Sequence, residues 1–192
     1  MTRRVILASA SPRRRELLSL LIPDFEVVNG LFDESTVPDD LIPLEHVVFS
    51  AKNKAESILH MYPDAVVIGA DTIVSLDEII MGKPSDQTDA VQMLKRLSGK
   101  THQVYTGLAV VFNGCIESAF ESTDVVFSEL CDDAINRYVA DGEPMDKAGA
   151  YGIQGKGAAF IEKINGCYFN VVGLPVYRLS KMLHNAGVET YL

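Results

Sequence analysis

Ser9-Ala10-Ser11-Pro12-Arg13-Arg14-Arg15-Glu16-Leu17-Leu18 is the stretch on which the reading of this chain turns. Ahead of it the apolar run Val5-Ile6-Leu7-Ala8 has strand character, and behind it Leu17, Leu18 and Leu21 recur at helical spacing. A strand therefore passes directly into a helix. Ser11 takes the N-cap and Pro12 the first helical position, where the early amides lack intrahelical acceptors and proline loses nothing by having no N–H. The run Arg13-Arg14-Arg15 breaks the local rule, because the first turn carries the positive end of the helix dipole and favours carboxylates. What this turn lacks is a negative partner. Its free amides, the hydroxyls of Ser9 and Ser11 and the guanidinium forks around one point form a cradle for phosphate.

The 192 residues suffice for one domain with a substantial core, including a single domain of two lobes. Hydrophobic residues make up 47% and charged residues 22%, a globular balance. No apolar run approaches the roughly 18 residues that a membrane span requires. Arg3 and Arg4 precede an apolar patch too short for a secretory signal, so a cytoplasmic protein is expected. Cys115, Cys131 and Cys167 lie far apart without a C-x-x-C, which points to reduced core or strand positions rather than a disulfide framework or thiolate metal site. His46, His60, His102 and His184 show no metal-ligand spacing. Net charge is −9, yet the first fifteen residues hold five arginines and no acid, leaving 12 basic against 26 acidic residues in the remainder. A protein that grips a nucleic-acid backbone needs a broad basic face. One small basic focus on an acidic body suits a small polyanion, with a divalent cation alongside.

Further along, a strand is expected over 25–29 and a helix over about 44–62, whose apolar stripe leaves Lys52 and Lys54 on opposite edges. Spacing does not choose between these lysines. Residues 65–74 are apolar on both faces and read as a central strand, with Asp71 inside it. A buried carboxylate is costly without a metal, a cation or a hydrogen-bond network. Gly82-Lys83-Pro84 leaves the next short strand as a stiff corner that displays Lys83, without the spacing of a Walker loop. A helix over 88–97 follows, then strands over 103–112, 115–120 and 122–127 with Asn113-Gly114 as a hairpin turn. Next comes a short helix over 132–139. Residues 146–157 hold four glycines and read either as a flexible surface loop or as a segment whose amides approach a ligand. In the second case Tyr151 offers a stacking face and Gln154 donors and acceptors for a planar base. A last hairpin is expected from 158–164 and 168–172, before a terminal helix that Gly187 ends.

Four of these stretches occur in one order over nearly the whole chain. They are Ser9 to Arg14, the pair Asp33-Glu34, Gly69-Ala70-Asp71-Thr72-Ile73-Val74 with Gly82-Lys83-Pro84, and Asp146 to Gly155 with the later Asn170-Val171-Val172-Gly173-Leu174-Pro175. In this order they resemble the Maf family of nucleoside triphosphate pyrophosphatases. The resemblance implies an α/β fold with a mixed, elongated, bent sheet, flanking helices and two lobes around a central cleft, often as a homodimer. It also implies hydrolysis of a nucleoside triphosphate to the monophosphate and pyrophosphate. By position, Ser9, Ser11, Arg13, Arg14, Lys54 and Lys83 would bind phosphate. Glu34 and Asp71 would ligate Mg2+ or Mn2+, and Asp71 matches the family's general base. A metal-bound carboxylate is a weaker base, so orienting the water is the alternative role for Asp71. Arg13, Thr72 and Gln154 match the branch acting on dTTP and UTP rather than on 7-methyl-GTP, and the Gln154 amide edge can complement a thymine or uracil imide. The resemblance leaves a second reading, a non-catalytic nucleotide-binding regulator of septum formation, which keeps the cradle without needing Asp71 and Glu34.

Overall fold

The computed structural model describes residues 3–191. Strand β1 (Val5–Ala8) pairs in parallel with both β2 (Glu26–Val28) and β3 (Val66–Leu76). Parallel neighbours need long connections, which here contain helices α1 (Pro12–Ser19) and α2 (Pro43–Glu56). The rest of the sheet is antiparallel: β4 (Ile79–Met81) folds back on the end of β3, and β5 (Thr101–Phe112), β6 (Cys115–Phe127) and β7 (Ile161–Asn165) continue from its long side. The seven-stranded order is β2-β1-β3-β5-β6-β7, with β4 beside β3. Helices α3 (Gln87–Leu97), α4 (Asp132–Ala140), α5 (Tyr168–Val172) and α6 (Val176–Asn185) flank it. Among the described residues no helix is long and apolar enough to cross a membrane.

The α2 helix lies against the sheet with almost no spacing, and two glycines allow it. A Cβ on Gly69 would run into the Ala51 carbonyl oxygen, and one on Gly107 into the Val47 carbonyl. Val47, Ala51 and Ala55 form the buried stripe that meets them. This close approach sets Lys54, one residue before Ala55, above the middle of β3.

Each long strand passes through more than one core. Ile68 and Ala70 of β3 and Leu108 and Val110 of β5 pack with α1 and α6, whereas Val67, Ala109 and Val111 face α2. Farther along, Val74, Leu76 and Val104 pack with α3, α4, Phe127 and Tyr151. Asp71, Thr72 and Thr106 lie between these cores, so the central strands carry polar groups where the apolar packing changes hands.

The structure departs from the sequence reading at several elements. The α2 helix stops at Glu56 because Ser57 Oγ turns back on the Lys54 carbonyl at 2.8 Å and accepts from Leu31 N at 3.0 Å, and only a short turn, Leu59–Met61, follows. The two strands expected over 115–127 are one strand, in unbroken register with β5 from Thr101–Val126 to Phe112–Cys115. Residues 168–172 are a helix, not the return strand of a hairpin. The buried Asn170 amide holds that turn by donating to Val104 O at 2.8 Å and Thr123 Oγ1 at 2.9 Å, contacts that outweigh the strand preference of the neighbouring valines. Finally, the cysteines are free and Cys115 opens β6, as a strand position, but none is a core residue: Cys115 and Cys131 are exposed and Cys167 is half-buried.

Candidate active site

The turn from β1 into α1 is built as its sequence requires. Ser11 Oγ accepts from Arg14 N at 3.4 Å as the N-cap, and Ser9 Oγ accepts from Ser11 N at 3.2 Å. Both serines, with Arg13 and Arg14, line a cleft of about 830 Å³. Its opposite walls bring Glu34, Lys54, Asp71, Thr72, Lys83 and Gln154 to the same space, so every candidate site residue faces one cavity.

Arg14 is the most firmly held of these groups. Its Nε donates to the Gly173 carbonyl at 2.9 Å, Nη2 to Thr72 Oγ1 at 2.9 Å and Nη1 to Ser9 Oγ at 3.5 Å. Burial lowers its pKa from the ordinary arginine range, while the negative charges of Asp71 and Glu34 oppose that shift. A guanidinium in a protein nonetheless stays charged, so the turn presents a fixed cation. Arg13 is less committed, with one contact of 3.2 Å from Nη1 to Asp146 Oδ2. Asp146 also accepts from Lys147 Nζ at 2.6 Å, and Lys147 donates to the Glu143 carbonyl at 2.7 Å. Burial works against the charge of Asp146, but the hydrogen bonds from Lys147 and Arg13 outweigh it and hold the carboxyl below its ordinary range. Lys147 thus reaches the cleft wall, paired with an acid of its own chain.

Across from this turn, Lys54 Nζ lies 2.6 Å from Asp71 Oδ1 and 2.7 Å from Glu34 Oε1. The choice between Lys52 and Lys54 that spacing left open goes to Lys54. Two carboxylates converging on one positive centre form an oxygen donor set of the kind that holds a hard divalent cation. No group of three or more acidic, histidine or cysteine side chains gathers among the described residues, so such an ion would take its remaining ligands from phosphate and water. Lys83 stands exposed on its corner, tied to the far segment by Gly149 N donating to the Gly82 carbonyl at 3.0 Å. Gln154 is exposed on the wall from 146–157.

The glycine-rich segment differs from the ligand-gripping loop considered from sequence. Its amides bind a carboxylate of the same chain: Lys156 N and Gly157 N donate to the Glu143 side chain at 2.9 and 3.2 Å, and Tyr138 OH does so at 2.9 Å. Burial opposes ionisation of Glu143, but these hydrogen bonds bring its pKa below the ordinary value of 4.5. The glycines are there for closeness, since a Cβ on Gly155 would strike the Glu143 carboxylate. Tyr151 is no stacking platform. It is buried among the α3 and α4 residues, its hydroxyl 2.8 Å from His102 Nε2.

The family profile described as Maf-like protein matches residues 4–186. The chain belongs to the Maf family. A relative from Clostridium novyi (strain NT), named dTTP/UTP pyrophosphatase, is 51% identical over 97% of this chain and 99% of its own length. One of the same name from Bacillus pumilus (strain SAFR-032) is 47% identical over 97% and 98%. Among solved structures, a HAM1 protein from Coxiella burnetii superposes with a TM-score of 0.51 at 14% identity over 96% of this chain and 100% of that one, a likeness of fold. The Maf motifs lie where the cleft is. Sequence reasoning missed Thr106 and quoted Gly173 only as part of a motif; they touch Thr72 and Arg14 from strand β5 and from the end of α5. Their signal lies in strand register and a helix end, neither of which spacing alone displays.

Proposed function

We propose that this chain is a nucleoside triphosphate pyrophosphatase that hydrolyses dTTP and UTP to the monophosphate and pyrophosphate. The observation that carries the reading is the opposition, in one cleft, of a fixed cationic helix turn and a carboxylate pair centred on Asp71. The full-length relatives named for this activity support it.

Ser9, Ser11, Arg13 and Arg14 would take the triphosphate, with Lys54 and Lys83 adding positive charge along its length. Glu34 and Asp71 would hold Mg2+ or Mn2+, which when bound would neutralise charge developing on the phosphate oxygens. Lys54, now paired with both carboxylates, would be available to phosphate where those carboxylates held a cation. Asp71 lies at the join of two cores, where it can hold the attacking water in line with the α-phosphorus while pyrophosphate departs. Thr72 and Gln154 are the groups available for sorting bases, Gln154 by pairing its amide with the imide of thymine or uracil.

The two cores along β3 and β5 support a single domain of two lobes with the cleft between them. Free thiols at Cys115, Cys131 and Cys167 agree with a cytoplasmic setting. A homodimer rests on the family resemblance. The experiment is pyrophosphate release across dTTP, UTP, CTP, dATP and 7-methyl-GTP with Mg2+ or Mn2+. The highest kcat/KM is expected for dTTP and UTP, and a faster purine or 7-methyl-GTP reaction would refute the pyrimidine assignment.

A further inference from the structure

Thr106 faces Thr72 across the β3–β5 ladder, is fully buried and does not line the cleft. A hydroxyl has one hydrogen to donate and two lone pairs with which to accept. Thr106 Oγ1 lies 3.0 Å from the Asn170 carbonyl oxygen, which can only accept, so the Thr106 hydrogen is committed there. The 2.9 Å contact between the two threonine hydroxyls must then run from Thr72 to Thr106. Thr72 has no hydrogen left, and it accepts from Arg14 Nη2, which can only donate.

The far end of this chain of bonds is equally directed. Asn170 is anchored through its side-chain amide to Val104 and Thr123, and the Thr123 hydroxyl gives its own hydrogen to the Cys167 carbonyl at 3.1 Å. Every hydrogen from Thr123 to Arg14 therefore has one direction.

We propose that Thr106 is a positioning residue for the anion site: by taking the Thr72 hydrogen it holds Thr72 as an acceptor and so fixes the Arg14 guanidinium. Without the Thr106 hydroxyl, the Thr72 hydrogen turns to the Gly173 carbonyl 3.5 Å away, the acceptor that Arg14 Nε uses at 2.9 Å. A change one side chain removed from Arg14 then loosens both of its short anchors. The inference rests on Arg14 binding phosphate, as in the proposed function, but not on turnover.

The test is calorimetric titration with inorganic tripolyphosphate of the wild type, Thr106→Val, Thr106→Ser, Thr72→Val and the Thr72→Val/Thr106→Val double variant. Thr106→Val is expected to weaken binding about tenfold, the scale of one hydrogen bond supporting a charged group. Thr106→Ser, which keeps the hydroxyl, should stay within about twofold of wild type by the same donor count. Adding Thr106→Val to Thr72→Val should cost nothing more, because the effect passes through Thr72. Thr106→Ala replaces the valine variant if that protein does not fold. Unchanged affinity in the valine variant, equal losses for valine and serine, or additive losses in the double variant overturns the proposal. A wild type that shows the expected pattern yet leaves dTTP intact refutes the pyrophosphatase reading and leaves Thr106 in its role. A wild type that does not bind tripolyphosphate overturns both.

Discussion

Two segments of this molecule use the same local chemistry to opposite ends. The turn from Ser9 to Arg14, where serine hydroxyls cap the Ser11 and Arg14 amides, and the segment from Glu143 to Gly157 both gather backbone amides and small residues around a point suited to negative charge. In the second, the chain supplies the anion itself, Glu143, and the amides of Lys156 and Gly157 close on it. In the first, the acids of the chain stay on the far wall or on the exposed rim, and the guanidinium of Arg14 is braced by neutral oxygens of Ser9, Thr72 and Gly173. The difference separates scaffold from site. An amide-rich turn satisfied from within is structure, and one that neutral acceptors hold in place retains its charge for a ligand.

The largest break in this comparison should come from Arg14→Ala. Removing a fixed cation that stabilises phosphate charge should lower kcat/KM about a thousandfold, whereas the thermal midpoint, read by calorimetry, moves little. The glycine-rich segment should show the opposite balance. Its Tyr151 rests on His102, which burial keeps at a pKa of about 4 instead of 6.5. The unfolded chain takes up that proton and the folded one resists it, so stability is full above pH 6.5 and falls as the pH drops toward 4. The loss should approach about 3 kcal/mol, and urea titrations of wild type and His102→Gln should show it only where the histidine is present.

Glu143→Ala should cost about 2 kcal/mol by leaving the Gly157 amide and the Tyr138 hydroxyl without their partner. Protein that remains folded should still bind tripolyphosphate. A loss of binding as deep as that of Arg14→Ala would erase the distinction between the two segments. The smallest effect belongs to Asp146→Asn, which frees Arg13 and Lys147 from an exposed acid. It should change stability by less than about 1 kcal/mol and tighten tripolyphosphate binding a few-fold, measured by the same calorimetry.

Much of the site was legible because its chemistry is local. The N-cap serine, the proline behind it, the arginines where acids are preferred and the aspartate inside an apolar strand each contradict or satisfy a short-range rule, and of these only Arg15 lies outside the cleft lining. What escaped depends on partners distant in sequence. Tyr151 looked like a ligand-stacking ring because nothing near it announces His102, 49 residues away. Residues 168–172 carry the aromatic and branched side chains of a strand, and only Asn170 reaching to β5 and β6 makes them a helix. The glycines of 149–157 signalled close approach correctly, and the groups that approach belong to the chain: Val74 at Gly149, Lys147 at Gly152, Glu143 at Gly155 and Tyr138 at Gly157. Register is the other hidden variable: Thr106 means nothing until β5 places it opposite Thr72.

The most direct measurement is phosphorus NMR of the purified protein with dTTP and Mg2+ or Mn2+, beside an Asp71→Asn variant shown to be folded. The wild type should yield dTMP and pyrophosphate, and the variant should leave dTTP intact. Intact dTTP and UTP with folded wild type under both metals, or undiminished turnover in the variant, would contradict that expectation, the first outcome favouring a nucleotide-binding regulator and the second removing Asp71 from the reaction.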